Sequence, residues 1–338
     1  MAASVRDVAT AAGVSVGTVS NVLNRPDRVA SATVERVQAA IDELGFVRND
    51  AARQLRAGRS RSIGLVVLDA GNPFFADVAR GAEERADGEH LSVLLGNSDD
   101  DAAREGRYLD LFREQRVNGV LITPASDDIE RIRAVHRAGT PVVLVDHEIP
   151  DSEFCSVSVD DDEGGYLAAR HLLDLGRRRL LFVGGPERIA QVENRLAGAR
   201  RAADEVPDAE LEVALMPGLT VLHGRTAGQA IVARPAAERP DAVFAANDLL
   251  AVGILQALTM LGATDGIRVP EDVALVGYDD IDFAASTVVP LTSVRQPARL
   301  IGRTAVELLL RSIDEPDGDY QRRVRFRPEL VVRSSSAG

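Results

Sequence analysis

Between residues 5 and 46 the apolar positions recur at helical spacing. Val5, Val8, Ala9 and Ala12 fall at i, i+3, i+4 and i+7, one face of a short helix. Gly13-Val14-Ser15 breaks the pattern, and Ser15 is a good N-cap for a second helix over about 16–24. In that helix Val19, Val22 and Leu23 point inward, while Gly17, Ser20, Asn21 and Asn24 form the opposite polar stripe. A third helix follows Ser31, with Val34, Val37, Ile41 and Leu44 inward and Gly45 as its stop. Residues 47–60 are polar and Arg-rich; Asp50 to Arg56 could make two turns of helix ended by Gly58, marginal in isolation.

From residue 61 the pattern switches to alternating strands and helices. Nearly continuous apolar strands are expected at Ile63–Leu68, Leu91–Leu95, Val120–Ile122 and Val142–Val145, and again at Leu180–Val183, Ala242–Ala245 and Val273–Val276. Two such series argue for two doubly wound α/β lobes with parallel sheets. Sheets of this kind bind ligands at the carboxyl ends of their strands, so two facing lobes make a cleft. The expected fold class is an all-α helix-turn-helix head followed by a two-lobed α/β body.

Composition sharpens this. The net charge is −13, yet residues 1–61 carry nine Arg against six acidic residues, so a basic head precedes an acidic body. That asymmetry is expected when only one end of a chain meets phosphate. All the basic residues are Arg; with no Lys, P-loop and Schiff-base chemistry are excluded. The single Cys155 cannot form an internal disulfide, no apolar run reaches the roughly 18 residues of a membrane span, and the N-terminus lacks a secretory layout. A cytoplasmic protein without membrane contact is the expectation.

A short helix, a Gly-containing turn and a second helix with a polar stripe form a helix-turn-helix signal, against the plainer reading of a three-helix bundle. The residues carrying it are Val5-Arg6-Asp7-Val8-Ala9, Ala12-Gly13-Val14-Ser15, Thr18-Val19-Ser20-Asn21-Val22-Leu23-Asn24 and Gly45-Phe46-Val47-Arg48-Asn49. They resemble the head of the lactose-repressor (LacI/GalR) family, and the resemblance runs to Glu329-Leu330-Val331-Val332-Arg333. By that resemblance Val16, Gly17 and Asn21 read bases, and Thr18, Ser20 and Asn24 hold phosphates. Asn21 can pair with adenine and Val16 can touch a thymine methyl; Gly17 has no side chain and is read as permitting close approach. Leu55, between Arg53 and Arg56, matches the family's minor-groove wedge in Ala52-Arg53-Gln54-Leu55; packing against the body or a partner is the alternative. Arg53 and Arg56 are assigned to DNA with it. The implied partners are double-stranded operator DNA with a pseudo-palindromic site, a second copy of the chain (a homodimer, or a tetramer), and a small polar effector such as a sugar.

Asn72-Pro73-Phe74-Phe75 follows the first body strand and resembles a motif of ribose-type periplasmic binding proteins. Phe74 and Phe75 can stack on a sugar ring, or be core. Other polar groups fall where strands should end: Asp146-His147, Asn247-Asp248 and Asp279-Asp280, with Arg195 in a helix and Gln296 at a late crossover. The resemblance implies a pocket of Asn72, Asp146, His147, Arg195, Asn247, Asp279 and Gln296, with Asp248 and Asp280 read as helix caps. His147 stands where the ribose-type pattern has Arg, which argues against ribose itself. The acidic run 160–163 is read as a helix cap rather than a metal site.

Enzyme readings fail on context. Gly13-Val14-Ser15-Val16-Gly17 fits a nucleophile elbow but lies between helices ahead of any strand. There is no dinucleotide fingerprint, and the five His are scattered without metal-ligand spacing, so no cofactor or metal is expected. The expected organisation is 1–46 helix-turn-helix domain, 47–60 hinge, 61–159 with 292–321 first lobe, and 160–291 with 322–338 second lobe. The function expected is a ligand-responsive transcriptional regulator, a repressor, without enzyme activity. The class-level alternative is a sugar-binding protein without a regulatory role, which would not need the basic head.

Overall fold

The structure is a computed structural model that describes residues 3–46, 60–126, 128–149, 153–186, 188–260, 267–316 and 318–337. It divides into a head, Met1–Ser60, and a body, Arg61–Gly338.

In the head, α1 (Val5–Ala11) starts with a reciprocal capping box between Ser4 and Asp7. Gly13, at φ +62°, takes the left-handed turn that glycine favours. Ser15 Oγ then accepts from Thr18 N at 3.0 Å and opens α2 (Val16–Asn24). That cap is worth about 1 kcal/mol. α3 (Ser31–Leu44) ends at Gly45 in the left-handed conformation. Val8, Ala9, Val19, Val22, Val37 and Ala40 form the buried core between the three helices. Leu44 departs from the expectation: it is 37% exposed.

The body begins with β1 (Ser62–Val67), α4 (Pro73–Asp87), β2 (Ser92–Asn97), α5 (Ala102–Glu114), β3 (Val120–Ile122), α6 (Glu130–Arg137), β4 (Val142–Val145) and β5 (Cys155–Val159). It continues with α7 (Asp161–Asp174), β6 (Arg179–Gly184), α8 (Ala190–Asp204), β7 (Glu210–Leu215), α9 (Val221–Val232), β8 (Ala242–Ala245), α10 (Asp248–Met260) and β9 (Ala274–Asp279). The last elements are β10 (Thr292–Arg295), α11 (Ala298–Asp314), β11 (Arg323–Phe326) and β12 (Glu329–Val331). Two six-stranded sheets result, in the orders β11-β5-β4-β3-β1-β2 and β12-β10-β9-β8-β6-β7. All pairings are parallel except β10 with β12, so the second sheet has one antiparallel edge.

The lobe boundaries differ from those expected near 292 and 321. β10 pairs with β9 in the second sheet, so the chain crosses back only after Arg295. β11 pairs with β5 in the first sheet, so the final crossing follows Phe326. Both strands are only four residues long and mix polar with apolar positions, which leaves their partner unreadable in advance.

Helix pairs flanking the sheets meet through reciprocal glycines. A Cβ on Gly81 would lie 2.0 Å from Arg299 O, and one on Gly302 1.9 Å from Val78 O, locking α4 to α11. Gly165 and Gly198 do the same for α7 and α8, and Gly224 and Gly253 for α9 and α10.

Candidate functional site

In the head, the exposed face of α2 carries Val16, 43% exposed, with Gly17, Asn21 and Asn24; Thr18 and Ser20 are half-buried. Val19 and Val22 anchor the opposite face, so the amphipathic pattern fixes which side is presented. Thr18 Oγ1 lies 2.9 Å from Ser15 Oγ, and Asn24 Nδ2 donates to Ser20 O at 2.7 Å. A Cβ on Gly17 would meet only Ser15 Oγ at 3.6 Å, an ordinary contact, so nothing within the head requires glycine there. Arg53, Leu55 and Arg56 lie outside the described residues.

In the body, a cavity of about 290 Å³ lies between the carboxyl ends of the two sheets. That is the small end of the ~300–1,000 Å³ of ligand sites, the scale of one sugar or base. The first lobe contributes Asp69 and Asn72 after β1, Asp99 and Asp100 after β2, and Asp146 after β4. The second contributes Arg188 after β6, Gln191 and Arg195 on α8, Thr220 and His223 around the start of α9, Asn247 after β8 and Asp279 at the end of β9. Phe74 and Phe75, edge to face with centroids 5.1 Å apart, supply apolar wall. Asp99, Asp100, Asp146 and Asp279 all have positive φ, so these strand ends turn sharply at the cavity.

Arg195 organises the floor. Its Nε donates to Asp161 Oδ1 at 2.7 Å, its Nη1 to Ala246 O at 2.7 Å, and its guanidinium lies 3.6 Å from the centroid of the Tyr278 ring. Burial opposes its charge, but Asp161 and the other acidic groups around it hold the proton more firmly than usual. Asp279 Oδ2 accepts from Asn72 Nδ2 at 3.0 Å and Oδ1 from Gln296 Nε2 at 2.8 Å. Burial raises the Asp279 carboxyl, against the lowering pull of Arg195 and these two donors. Burial, reinforced by the charge of Asp161, pushes Asp146 well above the carboxylate range.

Among the described residues, three residue pairs cross the cleft: Asn72 with Asp279, Gln191 Nε2 with Asp146 O at 2.5 Å and Oδ2 at 3.1 Å, and the ion pair of Arg188 with Asp100. The lobes are therefore bridged by their own side chains.

Of the pocket residues expected from sequence, Asn72, Phe74, Phe75, Asp146, Arg195, Asn247 and Asp279 line the cavity. Asn247 also caps α10 through Leu250 N and donates to Leu219 O. His147 and Gln296 do not line it. The chain turns at Asp146, with φ +53°, so the next side chain leaves the cavity wall. Gln296 instead supports Asp279 from behind. Asp248 is not a cap: it is fully buried and accepts from Ser293 Oγ at 2.6 Å and Ile281 N at 2.9 Å. Asp280 pairs with Arg295 and Arg333. Asp160 does cap α7, through Glu163 N. Asp69, Asp99, Asp100, Arg188, Gln191, Thr220 and His223 were missed. The strand-end rule applied to β1 and β2 would have found the three aspartates. Thr220 and His223 follow β7, whose Glu-Leu-Glu-Val-Ala-Leu alternation was not read as a strand.

Comparison with known proteins places the chain. Residues 4–49 match bacterial regulatory proteins of the lacI family, and residues 169–336 match a periplasmic binding protein-like domain. An HTH-type transcriptional repressor PurR of Aliivibrio fischeri is 35% identical over 338 residues, covering 98% of each chain. The lac repressor dimer bound to operator and the anti-inducer ONPF superposes with a TM-score of 0.84 at 26% identity, covering 100% of both chains. The transcriptional regulator CelR in complex with cellobiose superposes with a TM-score of 0.70 at 33% identity, over 99% of this chain and 100% of that one.

Proposed function

The chain belongs to the lacI family of bacterial regulatory proteins, and from that premise we propose that it is a repressor that binds a pseudo-palindromic operator as a homodimer and answers to a small polar ligand in the cleft. One observation carries the reading: a single chain joins a capped helix with an exposed polar face to a body holding a small polar cavity between two lobes. Asn21 and Val16 contact base edges, Gly17 lets the backbone approach, and Thr18, Ser20 and Asn24 face phosphates. Arg53, Leu55 and Arg56 are assigned to the operator centre. Asn72, Phe74, Phe75, Asp146, Arg195, Asn247 and Asp279 hold the ligand, with Gln296 positioning Asp279. His147, off the cavity wall, is not assigned to it. The role is binding rather than turnover, in the cytoplasm where the DNA is.

Self-association has a surface to use. Leu222 on α9 is 73% exposed, Met260 at the end of α10 64%, and Val288 80%. Leu94 and Leu95 on β2 are exposed on the other lobe. Apolar side chains so placed, in a chain that superposes end to end on a dimeric repressor, favour a second copy as occupant. With both lobes held in a dimer, a ligand that changes the angle between lobes changes the spacing of the two heads. Ligand and operator affinities are then linked, by the same factor in both directions.

The test is operator selection from random DNA with the full chain, then footprinting, then titration of ligands found by thermal shift. Two symmetric half-sites about one or more helical turns apart are expected. A lone asymmetric half-site would remove the dimer reading. Ligands that bind without altering operator affinity would remove the sensor reading.

A further inference from the structure

Two carboxylate oxygens in the cavity wall, Asp146 Oδ1 and Asp100 Oδ1, are buried without a hydrogen-bond partner. Asp146 is only 4% exposed, and its second oxygen is already taken by Gln191 from the other lobe. An acceptor left buried and unpaired costs about 1–3 kcal/mol, more when charged. Such a group calls for a donor from outside the fold, a water or a ligand.

The charges around it are unbalanced. Asp69, Asp99, Asp100, Asp146 and Asp279 line the cavity, against Arg188 and Arg195. Both guanidiniums are committed, Arg188 to Asp100 and Arg195 to Asp161 and Ala246 O. Asp99 has an outside cation in Arg104, at 3.0 Å. His223 spends its Nδ1 on the hydroxyl of Thr220. The site therefore has acceptor oxygens to spare and, among the described residues lining it, no uncommitted guanidinium for an anionic ligand. Burial favours the neutral form of Asp146 and Asp279, and a cationic donor stabilises the ionised carboxylate more than a neutral hydroxyl does.

We propose that the ligand is an aminated polyol, whose protonated nitrogen donates to Asp146 Oδ1. Its hydroxyls then face Asn72, Asp279 and Arg195, and Phe74 and Phe75 cover its apolar face. This inference rests on the cleft being the effector site.

The test uses matched pairs that differ only in charge: glucosamine, galactosamine and mannosamine against glucose, galactose and mannose, and against the N-acetylated forms. Binding to the full chain is measured by thermal shift and calorimetry. At least one amine is expected to bind tenfold or more tightly than both its hydroxyl and N-acetyl partners. In Asp146→Asn that preference should fall to near parity. Asn tolerates the positive φ at this position, so the variant keeps the backbone, which circular dichroism checks. Neutral partners binding as well as the amines, or no amine binding, overturns the proposal from the wild-type protein alone. A preference for the amine that survives in Asp146→Asn overturns the assignment to Asp146. The two readings fail separately. A neutral sugar that binds as tightly as its amine and shifts operator affinity removes the charge inference and leaves the sensor. An amine that binds without shifting operator affinity does the reverse.

Discussion

Replacing Arg195 by Met removes the charge and keeps most of the side-chain volume. What is lost is an ion pair to Asp161 at 2.7 Å, a hydrogen bond to Ala246 O at 2.7 Å and the stacking on Tyr278. What is left matters more: Asp161, Asp146 and Asp279 remain buried, with no cation among them. Breaking a buried pair by removing one partner costs about 3–5 kcal/mol, because the surviving charge is uncompensated. At about 2–4 °C per kcal/mol for a body of this size, the melting temperature should fall by roughly 6–20 °C. The sign with pH follows from the carboxyls. Losing the cation raises the folded pKa values of Asp146 and Asp279 further above the unfolded value of about 3.9, so their penalty is absent below about pH 4 and grows as pH rises. The deficit of Arg195→Met should therefore shrink on acidification from pH 7 to pH 5. Adding Asp161→Asn should restore a large part of the loss at pH 7 by deleting one stranded charge. Circular dichroism melts of the three proteins at both pH values decide it. A loss below about 1 kcal/mol, or a deficit that grows on acidification, would refute the reasoning.

Gly17→Ala should stabilise the free head by up to about 1 kcal/mol, since Ala is the better helix former and the space is open, yet weaken operator binding; melting of the head together with DNA titration checks both, and unchanged DNA affinity removes the close-approach role. Gly165→Ala drives a Cβ to 2.0 Å from Arg195 O and should cost about 1–3 kcal/mol while weakening ligand binding. Gly224→Ala, 2.1 Å from Leu250 O on the α9–α10 pair, should cost as much stability but spare ligand affinity; calorimetry on both variants separates them. Burial, then the charge of Asp279, holds the Asp248 carboxyl well above its ordinary value, so its contribution is full below about pH 4 and is lost as pH rises through the raised value. Asp248→Asn cannot ionise, so its stability relative to the native chain should improve between pH 5 and pH 8 in denaturant titrations; a difference flat with pH would count against the assignment.

The head was legible because its signal is local: caps, a turn glycine and a helical period leave little else for residues 5–45 to do. Central strands such as Val142–Val145 were legible because burial on both faces makes them continuously apolar. The edge strands β7 and β11 and the internal β10 were not. β7 is largely exposed, β11 pairs with β5, distant in sequence, and β10 is four residues of mixed polarity. The site followed the same division. Asp146, Asn247 and Asp279 abut readable strands. Gln191 and Arg188 could not be found that way, because neither abuts a strand end: Arg188 lies four residues past β6 and Gln191 in the first turn of α8. Asp161 shows a further limit: it lies in an acidic run whose neighbour Asp160 is a helix cap, and only the fold brings it against Arg195.

Three crossings between lobes leave neither lobe contiguous. The first sheet waits for β11 at Arg323–Phe326, long after β5 ends at Val159. At a ribosomal pace of ~5–20 residues per second, that interval is roughly 8–33 s. During it the outer edge of β5 has no partner, while β6 to β9 of the second sheet have already emerged. The edge strands β11 and β12, close together in the chain, are thus the last strands of both sheets to be made. Translation that stops before Arg323 leaves both sheets an edge short at once, so truncated chains should be cleared by proteolysis rather than persist as heads bound to DNA without a working sensor.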